Sequence, residues 1–363
     1  MKQLLNLISS LFLILVFTSG CVTAPKNPFN GDQNPNRISI MAFNVENLFD
    51  TEHDEGKEDF TYLPLKEKKK RDDVKAFCAT QSKGRKTECL NLDWNQEVLK
   101  TKFDALNGAV LQVYGRGPDI LMLEEVENLR VLKLWNDTDL KKAEYKTIQL
   151  IEGPDKRGID VGLMSRFPVE GKAQLHQIEW EKSLDFDPHA TRGILEVPLK
   201  LPTGSILHVF VVHLPSQASP TVFREDAVKT IKKLVAKVPP DRFWVVGGDW
   251  NITAEEDERS GLVSQQLNQI GLVSHLVGCK RCKGTHNYRK DWSFLDILVF
   301  SKNFASTDSA LKLVFESITV PQWGKHQSKW SGRPQRFNPK NGTGVSDHFP
   351  IYAEIEVLLP AAK

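Results

Sequence analysis

Residues 242–251 read Arg-Phe-Trp-Val-Val-Gly-Gly-Asp-Trp-Asn. An apolar-rich run, Arg242–Val246, passes through Gly247-Gly248 into Asp249 and Asn251. Short apolar runs bounded by turn residues read as buried strands. The arrangement recurs along the chain. Arg37–Phe43 stops at Asn44, Pro118–Leu123 at Glu124-Glu125, and Leu207–Val212 at His213, while Ser346-Asp347-His348 precedes Phe349–Ile355. Polar residues at strand ends can converge on one rim of a sheet without burying a charge in the core. Carboxylates with an amide oxygen suit a hard divalent cation, and two histidines among them suit acid–base work. The pattern implies a metal-dependent site for phosphoester hydrolysis.

The chain of 363 residues has room for one large domain or two ordinary ones. Its 48 basic residues nearly balance 46 acidic ones, so a nucleic-acid partner has to be argued from local clusters. Lys2, the apolar stretch Leu4–Phe17 and the small residues Thr18-Ser19-Gly20 before Cys21 form a leader too short to span a membrane. Residues 1–20 therefore read as a signal peptide. Small residues directly before a cysteine resemble a bacterial lipobox, with Cys21 as the lipidated residue, although Thr18 stands where Leu is usual. A plain secretory signal is the alternative. The expected location is the cell envelope, at the outer membrane if the source is Gram-negative. Without lipidation it is the periplasm or the medium.

The remaining cysteines are Cys78, Cys89, Cys279 and Cys282. An even number in an exported chain favours disulfides, and the neighbouring pairs Cys78–Cys89 and Cys279–Cys282 are the simplest connectivity. A zinc site built from the two pairs is the competing reading. Residues 21–36, rich in Pro and Asn, read as a tether. One domain spans 37–359, with an irregular surface insertion at about 52–93 carrying the run Lys66–Arg71. Asn95–Tyr114 and Thr221–Val235 have the three- and four-residue apolar steps of amphipathic helices. Several strands are joined too closely for helical crossovers, which favours mixed sheets covered by helices.

Each motif alone has a bland alternative: a turn Asn, a solvent-facing Glu, a sheet-edge His. Their order is more specific. Asn44, Leu123–Val126, Arg157–Val161, Thr191–Gly193, Val212–Ser216, Gly248–Asn251, Phe294–Asp296 and Ser346–His348 follow one another along residues 38 to 356. The series resembles the endonuclease/exonuclease/phosphatase superfamily, and its pancreatic-deoxyribonuclease-like branch most closely. The resemblance implies an α/β fold, a four-layer α/β/β/α sandwich of two mixed sheets packed face to face with helices outside.

It also implies roles. Glu125 is similar to the principal Mg²⁺ ligand, with Asn44 and Asp347 assisting; Mn²⁺ or Ca²⁺ are alternatives. Asp249 and Asn251 resemble the pair that positions water and phosphate. His348 with Asp296, and His213 with Asp160, resemble the two catalytic His–carboxylate pairs, and Arg192 a phosphate clamp. Sequence does not separate base from acid; the order adopted is His348 as base and His213 as acid. Three departures stand out: Glu124 where Gln is usual, Val212 for Asn, and Trp250 for Phe.

The superfamily cleaves several phosphoesters, so fold does not settle substrate. Ser317–Ser346 contains no acidic residue and interleaves Lys325, Lys329, Arg333, Arg336 and Lys340 with Trp323, Trp330 and Phe337. A basic, aromatic loop leading into Asp347-His348 suits a phosphate backbone and unstacked bases. The expectation is a monomeric, exported endonuclease acting on DNA, anchored to the membrane by lipid. A phospholipid (sphingomyelinase-like) or inositol-phosphate esterase is the alternative, and a non-catalytic surface binding protein a minor one.

Overall fold

The computed structural model describes residues 29, 31–181, 191–322 and 324–358. Cys21, the leader, most of the tether and Trp323 lie outside the described residues. The first sheet contains β1 (Arg37–Leu48), β2 (Ile120–Val126), β3 (Thr147–Leu150), β4 (Asp160–Ser165), β13 (Leu311–Thr319) and β14 (Ile351–Val357), ordered β13-β14-β1-β2-β4-β3. The second contains β5 (Gln174–His176), β6 (Ile194–Lys200), β7 (Ile206–His213), β8 (Phe243–Asp249), β9 (Gly271–Val273) and β12 (Asp296–Ser301), ordered β5-β6-β7-β8-β12-β9. A separate hairpin joins β10 (His286–Tyr288) to β11 (Asp291–Ser293). Both large sheets are mixed: β1 with β2 and β7 with β8 run parallel, and the other pairs are antiparallel.

Alternation along the strands decides what faces what. Ile38, Ile40 and Ala42 of β1 and Ile120 and Met122 of β2 pack against Val209 and Val211 of β7 and Val245 of β8 between the sheets. Met41, Phe43, Leu121 and Leu123 face the opposite way, toward helices. Continuing the inter-sheet series by two residues reaches Asn44, Glu124 and His213, and on β8 it passes through Gly247 to Asp249. The polar centre is thus the rim of the inter-sheet core, at the carboxyl ends of both parallel pairs. This is where open α/β sheets commonly bind ligands. Gly247 lies in the same series because a Cβ there would stand 2.3 Å from the Met122 sulfur.

The insertion is more regular than its sequence implies. It folds into α1 (Leu65–Lys68), α2 (Asp72–Thr80) and α3 (Lys83–Asn91). Its charge run hides the helices because the apolar contacts are few: Leu63, Val74, Cys78 and Cys89 form a small core of their own. The Cys78–Cys89 and Cys279–Cys282 disulfides are both present. Next, α4 (Gln96–Val110) starts where the Asn95 side chain accepts hydrogen bonds from the backbone N–H of Glu97 and Val98, both at 3.0 Å. It packs with α5 (Leu129–Thr138) on the first sheet through Phe103, Leu106 and Trp135. On the second sheet, α6 (Thr221–Val235) buries Ala227, Val228 and Ile231 against Phe210, Val212 and Val246. Helix, sheet, sheet and helix make four layers.

Candidate active site

Bulges at two strand ends shape the centre. The β1–β2 register shifts between Asn44 and Leu48, and the β2–β4 register between Glu124 and Val126. Glu46, Asn47 and Glu125 adopt left-handed φ values of 53°, 56° and 62°. Simple alternation would send Glu125 to the helical face. The bulge instead re-aims it toward Asn44, whose Nδ2 donates to Glu125 Oε1 at 3.3 Å, while the backbone N–H of Asn47 donates to Oε2 at 3.0 Å. Left-handed backbone at non-glycine residues is costly and concentrates at functional sites.

Asp249 is the hub. Its Oδ2 accepts from Asn44 Nδ2 at 3.1 Å and lies 3.5 Å from His213 Nε2 and 3.9 Å from His348 Nε2. Its Oδ1 accepts from the Asn251 N–H at 2.8 Å, and Asn251 Nδ2 donates to the Leu214 carbonyl at 3.1 Å. On its far side, His348 Nδ1 pairs with Asp296 Oδ2 at 2.8 Å. Burial opposes charge on His348, but Asp296, Asp249 and Asp347 outweigh it and hold the imidazolium well above its ordinary pKa. His213 goes the other way: burial first, then Arg192, Arg157 and His348, hold it well below. Opposed protonation tendencies in two histidines around one carboxylate fit an acid and a base.

The pairing of His213 with Asp160 does not form. Asp160 Oδ1 accepts from the Gly153 N–H at 2.7 Å, and His213 Nδ1 is buried without a partner. Asp160 Oδ2 is likewise buried without a partner among the described residues. Gly153 lies against the Arg192 backbone, where a Cβ would meet the carbonyl oxygen at 2.4 Å, and Asp160 pins that loop. Asp160 therefore helps seat Arg192. Arg192 is buried, with its Nε 3.4 Å from Asp155, and it acts electrostatically on His213, Glu125 and Asp249.

Glu124 is wholly buried and neither carboxyl oxygen has a partner. Burial, then Asp296 and Asp249, push its pKa well up, which favours the neutral acid. A neutral carboxylic acid is close in shape to the Gln usual at this position.

Other residues of the site carry no strand-end signal. Among the described residues, His286, Asp347 and His348 form a group whose ligand atoms lie within 4.8 Å of one another. His286 arrives on the β10–β11 hairpin, bridged to His348. Buried Lys102 of α4 donates to the Val345 carbonyl at 2.8 Å and supports Glu46, Asp347 and Glu125 electrostatically. Buried His326 holds the His348 carbonyl at 2.7 Å. Arg336 is not a free cation: its Nε bonds Glu46 and lies 3.5 Å from Asp347. The contacts of Asn44 and His213 with Asp249 could have been guessed from strand ends, whereas these depend on chain reversals with no local pattern.

The fold and rim define a hydrolase of phosphoester bonds. The family model described as Endonuclease/Exonuclease/phosphatase matches residues 86–357, well over half the chain, and the chain belongs to that family. Among solved structures, humanized D. rerio TDP2 superposes with a TM-score of 0.52 at 15% identity, covering 89% of this chain and 100% of that one. An endonuclease/exonuclease/phosphatase family protein from Bacteroides thetaiotaomicron gives 0.51 at 15%, covering 89% and 98%. The mannosyl-6-phosphatase of the same species gives 0.50 at 15%, covering 88% and 99%. These likenesses speak for the fold. No curated protein matches the chain.

Proposed function

We propose that this chain is an exported, Mg²⁺-dependent phosphodiesterase that cleaves DNA. The observation that carries the reading is the hub at Asp249 between two histidines whose pKa values are pushed in opposite directions, beside a basic aromatic loop. That loop exposes Lys325, Lys329 and Trp330, the last a residue 99% exposed, and His326 ties it to the His348 backbone. Exposed cations track a phosphate backbone, and an exposed ring offers a stacking face.

The donor chemistry fits a hard cation. Glu125 and Asp347 are oxygen donors facing one cavity, and Asn44 links Glu125 to Asp249. When bound, a divalent ion there supplies positive charge to the phosphate oxygens. The protein's groups do the rest. Neutral His213 takes a proton from the attacking water. Cationic His348, held by Asp296, gives one to the leaving oxygen. This reverses the acid and base order adopted from sequence. Asp249 orients both rings, and Arg192 adds fixed positive charge behind the phosphate. Anchoring through Cys21 belongs to the same proposal and is checked by radiolabelled palmitate incorporation with and without Cys21→Ala.

The deciding experiment is hydrolysis of supercoiled plasmid by the chain from residue 22, with Mg²⁺ and with EDTA, beside His213→Ala. Nicked circles that require both metal and His213 support the nuclease. Turnover of a sugar phosphate or sphingomyelin with no DNA cleavage replaces it with a small-phosphoester enzyme.

A further inference from the structure

A cavity of about 890 Å³ opens from Glu125 and Asp347, and the insertion forms one of its walls. Phe77 and Gln81 of the α2 region, and Arg85 and Glu88 of α3, line it opposite Glu46 and Asn47. The aromatic residues around it form one cluster, in which Phe49 and Trp94 are buried and Tyr62, Phe77 and Phe337 are part-exposed. Phe49 and Tyr62 stack at 4.1 Å, Trp94 meets Tyr62 edge-on at 5.3 Å, and Phe337 of the rim loop meets Trp94 edge-on at 6.2 Å.

The wall is built rigidly. Buried Lys68 donates to the carbonyls of Thr61 at 2.6 Å, Cys89 at 2.9 Å and Leu92 at 2.7 Å. The Cys78–Cys89 disulfide joins α2 to α3, and the Trp94 indole N–H donates to the Phe49 carbonyl at 3.0 Å. An element with a core, a staple and a buried cation of its own is fixed before ligand arrives, which lowers the ordering cost of binding.

Size and chemistry select the occupant. The cavity falls in the range of small-ligand sites, roughly 300–1,000 Å³. It combines the part-exposed rings of Tyr62, Phe77 and Phe337 with the guanidinium groups of Arg85 and Arg157 beside Glu125. A base inside a duplex is already stacked and paired, so it enters a pocket of this kind only by leaving the helix. We infer that the insertion seats one unstacked nucleotide next to the scissile phosphodiester, so that single-stranded or frayed nucleic acid is the preferred substrate. This rests on the phosphodiesterase reading above.

Two measurements keep the two ideas apart. The first is KM and kcat on a single-stranded oligonucleotide and on the same sequence as a blunt duplex. The second is binding of both, labelled, to His213→Ala protein by fluorescence anisotropy in Mg²⁺. The seat predicts at least roughly tenfold tighter single-strand binding. It also predicts that Phe77→Ala and the exposed Arg85→Glu raise single-strand KM by roughly 5- to 20-fold with kcat nearly unchanged and duplex binding unaffected. Arg85→Glu guards against a folding defect in the Phe77 variant. Equal binding of both forms, or variants that weaken both alike, overturns the seat even when DNA is cleaved. Single-strand preference without hydrolysis by the wild type keeps the seat and overturns the catalytic reading. Absence of both binding and hydrolysis overturns both.

Discussion

Nδ1 of His348 stands 2.8 Å from Oδ2 of Asp296, and this pair sets the charge of the ring that faces Asp249. Asp296 is fully buried at the start of β12, directly opposite Asp249 in the strand register. Its charge helps hold His348 cationic against burial. An acid of this kind is active while protonated, so its loss forms the alkaline limb of the rate profile. His213, held below its ordinary pKa, is active while neutral and forms the acid limb. A broad plateau through neutral pH is expected in kcat/KM. Asp296→Asn removes the supporting charge and lowers the His348 pKa. The alkaline limb should then move down by roughly one to three pH units, with the acid limb in place. An unmoved alkaline limb would remove His348 from the acid role.

Glu125 owes its position to its own left-handed backbone in a bulge, and among the described residues its carboxylate accepts hydrogen bonds from the Asn44 side-chain amide and the Asn47 backbone N–H. An anion so supported is suited to a metal. EDTA should abolish hydrolysis and Mg²⁺ should restore it. Glu125→Gln should lower kcat/KM by about 100-fold or more while leaving the thermal midpoint close to wild type. Titration of activity against Mg²⁺ checks this: the variant should need more metal for half-maximal rate.

Much of this site was legible because it follows the strand period. Asn44, His213 and Asp249 continue the alternation of Ala42, Val211 and Gly247, so apolar runs that end in polar residues disclosed them. The same logic misjudged lengths. Strands β1, β2, β7 and β8 run on through their polar ends, since backbone pairing does not stop where the side chains change character. The Asp160–His213 pairing was not legible because a carboxylate at a strand end has two directions to turn, and one oxygen of Asp160 accepts from the Gly153 N–H instead. His286, Lys102 and His326 could not be read at all. Each reaches the centre from a hairpin, a helix or a loop whose own pattern records nothing of its neighbours. The helices of the insertion escaped for a different reason: Lys68 supports them from within by three carbonyl contacts, a long-range effect that resembles a plain charge run in sequence.

Glu124 makes a prediction that separates charge from shape. Its folded pKa is raised by burial and by Asp296 and Asp249. The folded state therefore keeps a proton that the unfolded chain releases above about 4.5, and stability falls as pH rises through that range. Glu124→Gln removes the titration and keeps the shape. The variant should match wild type at acidic pH and become progressively more stable than wild type as pH is raised from 5 to 8. Activity should stay within about threefold. Thermal melts across that pH series check the sign, and a constant difference would mean that Glu124 is ionised in the fold.

The rim loop yields the last test, because its cations are not equivalent. Arg336 is committed to Glu46 and Asp347, so its removal disturbs the centre as well as binding. Lys325 and Lys329 are exposed and stand among no carboxylates in the loop. If DNA lies along this rim, each of these two lysines displaces counterions when it meets a phosphate. Neutralising both should reduce the slope of log K against log salt by roughly 0.7–0.9 per residue and leave kcat nearly constant. Arg336→Ala should instead lower kcat, since it unfastens Asp347. Trp330, with its side chain in solvent, serves as the reporter: stacking on a base should quench its fluorescence, and Trp330→Ala should weaken binding by roughly 5- to 100-fold without altering the salt slope. A slope indifferent to Lys325 and Lys329 would place the nucleic acid elsewhere on the protein.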